Sequence, residues 1–302
     1  MITRIAISIG DPRGVGPEVI AKALARPLAQ ACCTIFGPRS LFGGLRSPRL
    51  EWVEVQGTGP GQMQLASLEA ALGAVLDGEA DALCTAPITK ATIREAGFPF
   101  PGHTEYLAHR TGTRRFVMML AGPRLRVVPL TGHLPLREVS QRLTRQLVGD
   151  GLVVAASALT FDLGIQRPRL ALAGLNPHAG EGGMLGQEEQ RVLLPGIQDA
   201  RRELHEIGLP SEIVGPLPSD TLFVPPVPFD AVVCCYHDQA LIPLKLLDRD
   251  QAVNVTLGLP IVRTSPAHGT ARDIAGQDRA DPGSMRAALE LAVEIVHRRR
   301  GR

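Results

Sequence analysis

Apolar and polar positions along this chain follow two periods in turn. Residues 231–235 (AVVCC) are an unbroken run of small and β-branched apolar side chains, the pattern of a strand covered on both faces. Comparable runs at 4–9, 34–36, 52–55, 82–85, 116–121, 125–130, 170–175 and 253–256 predict further strands. Between them apolar residues fall at helical spacing. Leu65, Leu68, Leu72 and Leu76 mark a helix over 64–76, and Leu143, Leu147, Leu152, Ala156, Leu159 and Leu163 a long or broken one. Met285, Leu289, Val293 and Val296 give a last helix its inner face, started by Asp281 and Pro282. Other helices are expected from the 10–17 turn to about residue 28, from residue 90, over 104–109 with Thr104 as cap, and over 187–207 with a kink at Pro195. This alternation predicts an α/β fold with mainly parallel sheets.

Three of the apolar runs end alike. The 231–235 run leads to Tyr236, His237 and Asp238, the 125–130 run to His133, and the 170–175 run to Asn176, Pro177 and His178. Ligands of open α/β sheets gather at the carboxyl ends of strands. Zinc and similar divalent metals commonly take three protein ligands and keep one position open. Any one of these histidines reads as well as a structural group, but three of the chain's eight in matching positions favour a site. Asp238, beside His237, suits acid–base work or the orientation of a metal ligand.

Composition narrows the classes. With 44% hydrophobic and 21% charged residues over 302 positions, a sizeable core is expected and disorder is not. The 32 basic and 30 acidic residues give no electrostatic reason for nucleic acid or an acidic membrane. The five cysteines lie in or beside apolar runs without a Cys-x-x-Cys spacing, which suggests reduced, buried thiols and a cytoplasmic setting. No leader pattern and no membrane-spanning run is visible. The turn GDPRGVGPE is neither a Gly-x-Gly-x-x-Gly fingerprint nor a Walker A loop.

Taken in order, GDPRGVGPE, TAPITK (85–90), PGHTEYLA (101–108), TGHLPL (131–136), NPHAGEGG (176–183), GPLPSDTLF (215–223), YHDQALIPLK (236–245) and NVTLGLPIVRTSPAHGTA (254–271) resemble the 4-hydroxythreonine-4-phosphate dehydrogenase family of pyridoxal phosphate biosynthesis, over nearly the whole length. The resemblance implies a two-domain fold similar to isocitrate and isopropylmalate dehydrogenases, with mainly parallel sheets and an interdomain cleft. We place the first domain at 1–112 and 265–302, and the second, with the metal ligands and dimer interface, at 113–264. It implies a homodimer with shared active sites, whose divalent metal (zinc, or magnesium or cobalt) is held by His133, His178 and His237. Its substrate contacts fall on His103, Thr104, Lys245, Asn254 and Arg263, which suit a small phosphorylated molecule. The HGTARDIAG stretch is similar to the adenosine loop of NAD-linked isopropylmalate dehydrogenases. Gly269, Asp273 and Ile274 would then contact NAD, with Asp273 accepting from the ribose 2′-hydroxyl and repelling a 2′-phosphate. Asp238, and more weakly Asp220, are the catalytic candidates.

One departure stands out: Ala267 occupies a position where the family usually has Asp. The implied reaction is NAD- and metal-dependent oxidation of 4-phosphooxy-L-threonine to a β-keto acid that decarboxylates. Rival readings are oxidative decarboxylation of threonate or erythronate 4-phosphate, oxidation of an aromatic cis-diol dicarboxylate, a metal hydrolase, and a non-catalytic sensor of phosphorylated metabolites.

Overall fold

The computed structural model describes residues 2–301, and its chain divides into two compact units. The first comprises residues up to Thr113 together with those from Asp250 onward; the second is Arg114–Arg249.

The first unit opens with β1 (Thr3–Ser8), α1 (Gly16–Leu24), β2 (Ala31–Phe36), β3 (Leu50–Val53), α2 (Pro60–Leu76) and β4 (Ala82–Thr85). Two short helices, α3 (Lys90–Glu95) and α4 (His103–Arg110), follow. The second unit holds β5 (Val117–Ala121), β6 (Arg126–Pro129), α5 (Leu136–Arg142), α6 (Arg145–Phe161), β7 (Arg169–Ala173), α7 (Leu194–Glu206), β8 (Glu212–Leu217), α8 (Ser219–Leu222), β9 (Ala231–Cys234) and α9 (His237–Asp248). The chain then returns to the first unit with β10 (Val253–Leu257), β11 (Val262–Pro266) and α10 (Gly283–Arg300).

Strands of the first unit run in the order β3-β2-β1-β4-β11-β10, and those of the second β5-β6-β9-β7-β8. Pairing is parallel except for β10 with β11 and β5 with β6. The central strands β4 and β9 are buried at every position, as strands with helices on both faces must be. In the first unit α2 and α10 pack on the sheet, with Leu68, Leu72, Met285 and Leu289 among the core residues. In the second unit α9 packs on β6 and β9, while α6 packs on α7 and β5.

The structure corrects several expectations. Residues 250–264 pack with the first unit, not the second, because β11 pairs with β4 and carries β10 with it. Asn254 and Arg263 therefore belong to the same unit as His103. Strand β8 was not expected; nor was β11, whose VRTSP is polar in type yet buried throughout. Helix α4 starts after Gly102, so Thr104 lies in its first turn and does not cap it. Pro195 does not kink a long helix: a π-turn (Glu189–Leu193) precedes α7, and Pro195 sits in that helix's first turn. Helix α1 stops at Leu24, short of Pro27.

Candidate functional site

In the second unit β6, β9 and β7 are neighbouring parallel strands. His133, His237 and His178 each follow the carboxyl end of one of them. The sheet thus brings the three loops to a common edge, since parallel neighbours present the same ends together. Hydrogen bonds bind the loops further. Thr131 Oγ1 donates to the Cys235 carbonyl at 2.7 Å, joining the His133 loop to the start of α9. Gln239, buried in the first turn of α9, accepts from the Cys235 N–H at 2.6 Å and donates to Gly174 O at 2.7 Å and Ser219 Oγ at 2.8 Å. These ties secure α8 and the end of β7 to α9.

The rings of His133 and His237 lie 5.4 Å apart, centroid to centroid. Two imidazoles bound at a tetrahedral angle to one ion have centroids about 5 Å apart, given metal–nitrogen bonds of about 2 Å. The pair therefore fits a shared cation. Asp238 Oδ1 lies 2.6 Å from His237 Nδ1, which leaves Nε2 as the ring's outward nitrogen and fixes the tautomer. His178 is exposed on a left-handed turn, and among the described residues no group of three His, Cys, Asp or Glu is close enough to hold a metal. Asp220 is exposed in α8 and Lys245 exposed near the end of α9.

The first unit holds a different constellation. Arg263, on β11, is 2% exposed. Its guanidinium donates to Thr256 Oγ1 at 3.1 Å and Thr85 Oγ1 at 2.8 Å, and Nη2 lies 3.3 Å from His103 Nδ1. Each of these partners is neutral or, for His103, held neutral. Burial lowers the His103 pKa well below the ordinary imidazole value, and the Arg263 and Lys90 charges lower it further. Burial also brings Arg263 down to about 10, against an opposing pull from Cys84 and Glu105. His103 Nε2, Arg263 Nε and Asn254 Oδ1 are all enclosed without a hydrogen-bond partner. Buried polar atoms are nearly always satisfied, so the two orphaned N–H groups, on His103 and on the buried Arg263 guanidinium, fit an anionic ligand, while the Asn254 oxygen, an acceptor, fits a donor group. Thr104, half-buried beside His103, completes the helix start that faces this group.

The loop between β11 and α10 carries Gly269, Asp273 and Ile274. Asp273 is exposed, and a Cβ at Gly269 would meet open space. Beside this loop a cleft of about 510 Å³ is lined by Arg13, Gly14, Glu18, Leu41, Ala275 and Gly276 among others, a volume in the range of small-molecule sites. Sequence reasoning missed Asp11, whose carboxylate is fully buried. Burial alone would raise its pKa; the Thr89 hydroxyl at 2.6 Å, Arg272 and the Arg13 N–H outweigh that and hold it below the ordinary value. Asp11 anchors the loop through Arg272, and the GDP of the opening motif was its only signal. Ala267, the family departure, donates its N–H to Ser284 Oγ at 2.9 Å, so the loop's entry is fixed by backbone.

The chain is similar to known proteins over nearly its whole length. A family model described as pyridoxal phosphate biosynthetic protein PdxA matches residues 49–292. A 4-hydroxythreonine-4-phosphate dehydrogenase of Paracoccus denitrificans is 44% identical over 329 residues, covering 98% of this chain and 98% of the relative. Among solved structures, a 4-hydroxythreonine-4-phosphate dehydrogenase from Klebsiella pneumoniae superposes with TM-score 0.83 at 35% identity, covering 98% of each chain. An isocitrate dehydrogenase from Methylococcus capsulatus, 14% identical, shares the fold at TM-score 0.55 over 99% of this chain and 87% of its own.

Proposed function

Because the chain belongs to the pyridoxal phosphate biosynthetic protein PdxA family and is a dehydrogenase, we propose that it oxidises 4-phosphooxy-L-threonine with NAD and a divalent metal. The product is a β-keto acid that loses carbon dioxide to give 3-amino-2-oxopropyl phosphate, for pyridoxine 5′-phosphate synthesis. The observation that carries this reading is the buried Arg263 with its orphaned neighbours. A guanidinium enclosed without a carboxylate partner is costly, and a substrate phosphate offsets that cost.

In this reading Arg263, His103, Thr104 and Asn254 bind and orient the phosphorylated end. His103 Nε2–H donates, since Nδ1 faces the guanidinium. Lys245 adds charge from α9. His133 and His237, with His178, hold the metal, which supplies Lewis acidity that lowers the pKa of the substrate's C3 hydroxyl. Asp238, 2.6 Å from His237 Nδ1, would orient that ring and is the first candidate to accept the C3 hydroxyl proton; Asp220 is the second. Asp273 and the adjoining cleft bind the adenosine half of NAD, with Gly269 and Ile274 shaping the loop.

A homodimer with shared sites suits the second unit. Helix α9 exposes Ile242 (59%) and Leu246 (80%) one turn apart, and Met184 is exposed close after His178. Two exposed apolar side chains one turn apart on α9 support an interface. A His178 supplied across it would complete the histidine pair.

The direct test is appearance of reduced nicotinamide from the metal-depleted and zinc-restored enzyme with 4-phosphooxy-L-threonine, threonate 4-phosphate or erythronate 4-phosphate. Turnover restricted to the amino substrate and to the restored enzyme is expected. Turnover of the threonates alone would replace the substrate assignment, and no oxidation of any would refute the function.

A further inference from the structure

His178 stands on an unusual piece of backbone. Five consecutive residues, His178 to Gly182, have φ between 44° and 80°. Three of them, His178, Ala179 and Glu181, carry side chains that disfavour this left-handed conformation. Such a turn persists only where its surroundings enforce it.

The enforcing groups come from the segment just downstream. Glu189, 3% exposed, accepts from the Asn176 N–H at 2.8 Å and from Asn176 Nδ2 at 3.0 Å. Glu188 accepts from the same amide at 2.9 Å, and Gln190 donates to the Gly182 carbonyl at 2.8 Å. The Glu189 carboxylate also fills the space over Gly180, where a Cβ would lie 2.7 Å from Oε2. The left-handed turn is thus gripped at its entry, its middle and its end. The Glu189 carboxylate is thus committed to the turn, both of its oxygens bonded to Asn176 and one of them lying over Gly180.

We propose that Glu189 is a positioning residue for His178: through Asn176 it enforces the left-handed turn that sets the direction in which the imidazole leaves β7. The proposal rests on the reading of His178 as a metal ligand and concerns how that ligand is aimed. Groups that orient a ligand typically change metal affinity 10- to 100-fold when altered.

The test uses the full chain in its native assembly and reads zinc affinity by competition with a chromophoric chelator, with the visible spectrum of the cobalt-substituted protein as second readout. Glu189→Gln keeps the size but turns one acceptor into a donor facing the Asn176 amide. It should weaken zinc binding about tenfold or more and alter the cobalt spectrum. His178→Ala should do the same, and the double variant should lose no more than the weaker single. Glu181→Gly, which makes the left-handed turn cheaper at φ 44°, should restore part of the affinity lost in Glu189→Gln. A purely structural role predicts no such rescue. Unchanged affinity and spectrum in Glu189→Gln, with both disturbed in His178→Ala, would overturn the positioning role while leaving the metal reading intact. Unchanged affinity in His178→Ala would remove the metal reading itself, and the proposal with it. If Glu189→Gln fails to fold, Gly182→Val carries the test: its Cβ enters open space at φ 65°, loading only the backbone, and undiminished zinc affinity there overturns the proposal.

Discussion

The two units build their candidate sites by opposite means. In the first, Arg263 and His103 are enclosed among strands β4, β10 and β11, with polar atoms left unsatisfied by the protein. In the second, His133 and His178 stand on strand-end turns and His237 opens α9, all partly or fully open to solvent. Enclosure makes a preformed site for charge, in which desolvation has already been incurred on folding. Loops make a site whose parts need aiming, and the aiming is done by Thr131, Gln239, Asp238 and Glu189. Perturbing the first unit should therefore change binding, and perturbing the second should change the chemical step.

The largest effect should come from the histidine edge. His133→Ala or His237→Ala should lower kcat by about a thousandfold or more while circular dichroism and assembly stay unchanged; retained turnover after chelation would break the comparison at this end. Mixing inactive His178→Ala and His237→Ala proteins under subunit exchange should restore about a quarter of wild-type activity, if each site draws on both subunits. No recovery despite proven exchange would place all three ligands within one chain.

Next in size, Arg263→Met should raise KM for the phosphorylated substrate by roughly 10- to 100-fold, the scale of a lost charge-assisted hydrogen bond, with a smaller effect on kcat. A kcat defect at unchanged KM would erase the contrast between the units. Asp273→Ala should lower the NAD/NADP ratio of kcat/KM by about tenfold or more. Ala267→Asp should alter binding of both cofactors together, because Ala267 is tied to Ser284 through its backbone at the loop's entry. An untouched ratio in Asp273→Ala would make the adenosine-loop assignment wrong.

The smallest effect is one of pH. His103 is held neutral in the fold, with its pKa below the unfolded value of about 6.5. The unfolded chain then binds the extra proton first, so this residue's contribution is complete above about pH 6.5 and is lost as pH falls from there toward the folded pKa. The thermal midpoint should decline over that window, and His103→Gln should flatten the decline. An identical profile in the variant would show that His103 is not the titrating group.

Much of this was legible from patterns. The run 231–235 contains β9 (Ala231–Cys234), and the three histidines do follow the same ends of neighbouring strands, because parallel neighbours align their ends. What was not legible was set by tertiary pairing. Val262–Pro266 carries Arg, Thr and Ser, yet is wholly buried, since β4 and β10 flank it; that placement moved the domain boundary as well. Helix α9 was hidden by Pro243 and by apolar residues Ile242 and Leu246 facing outward. Asp11 gave no periodic signal, since its role depends on Arg272, 261 positions away. The left-handed turn at His178 was masked because its glycines alone suggest an ordinary loop.

Glu18, in the first turn of α1, accepts from the Gly276 N–H at 3.2 Å and the Ala280 N–H at 2.8 Å, and Lys22 bonds the Asp278 and Ala280 carbonyls. With Asp11 holding Arg272, and the Val15 N–H bonded to Thr270 O at 2.9 Å, the 267–280 loop is laced to the chain's opening motif before any ligand arrives. A loop so tied loses little conformational entropy when a dinucleotide settles on it. The loop should resist proteases equally with and without NAD, whereas Glu18→Ala should expose it to cleavage and make that protection depend on the cofactor.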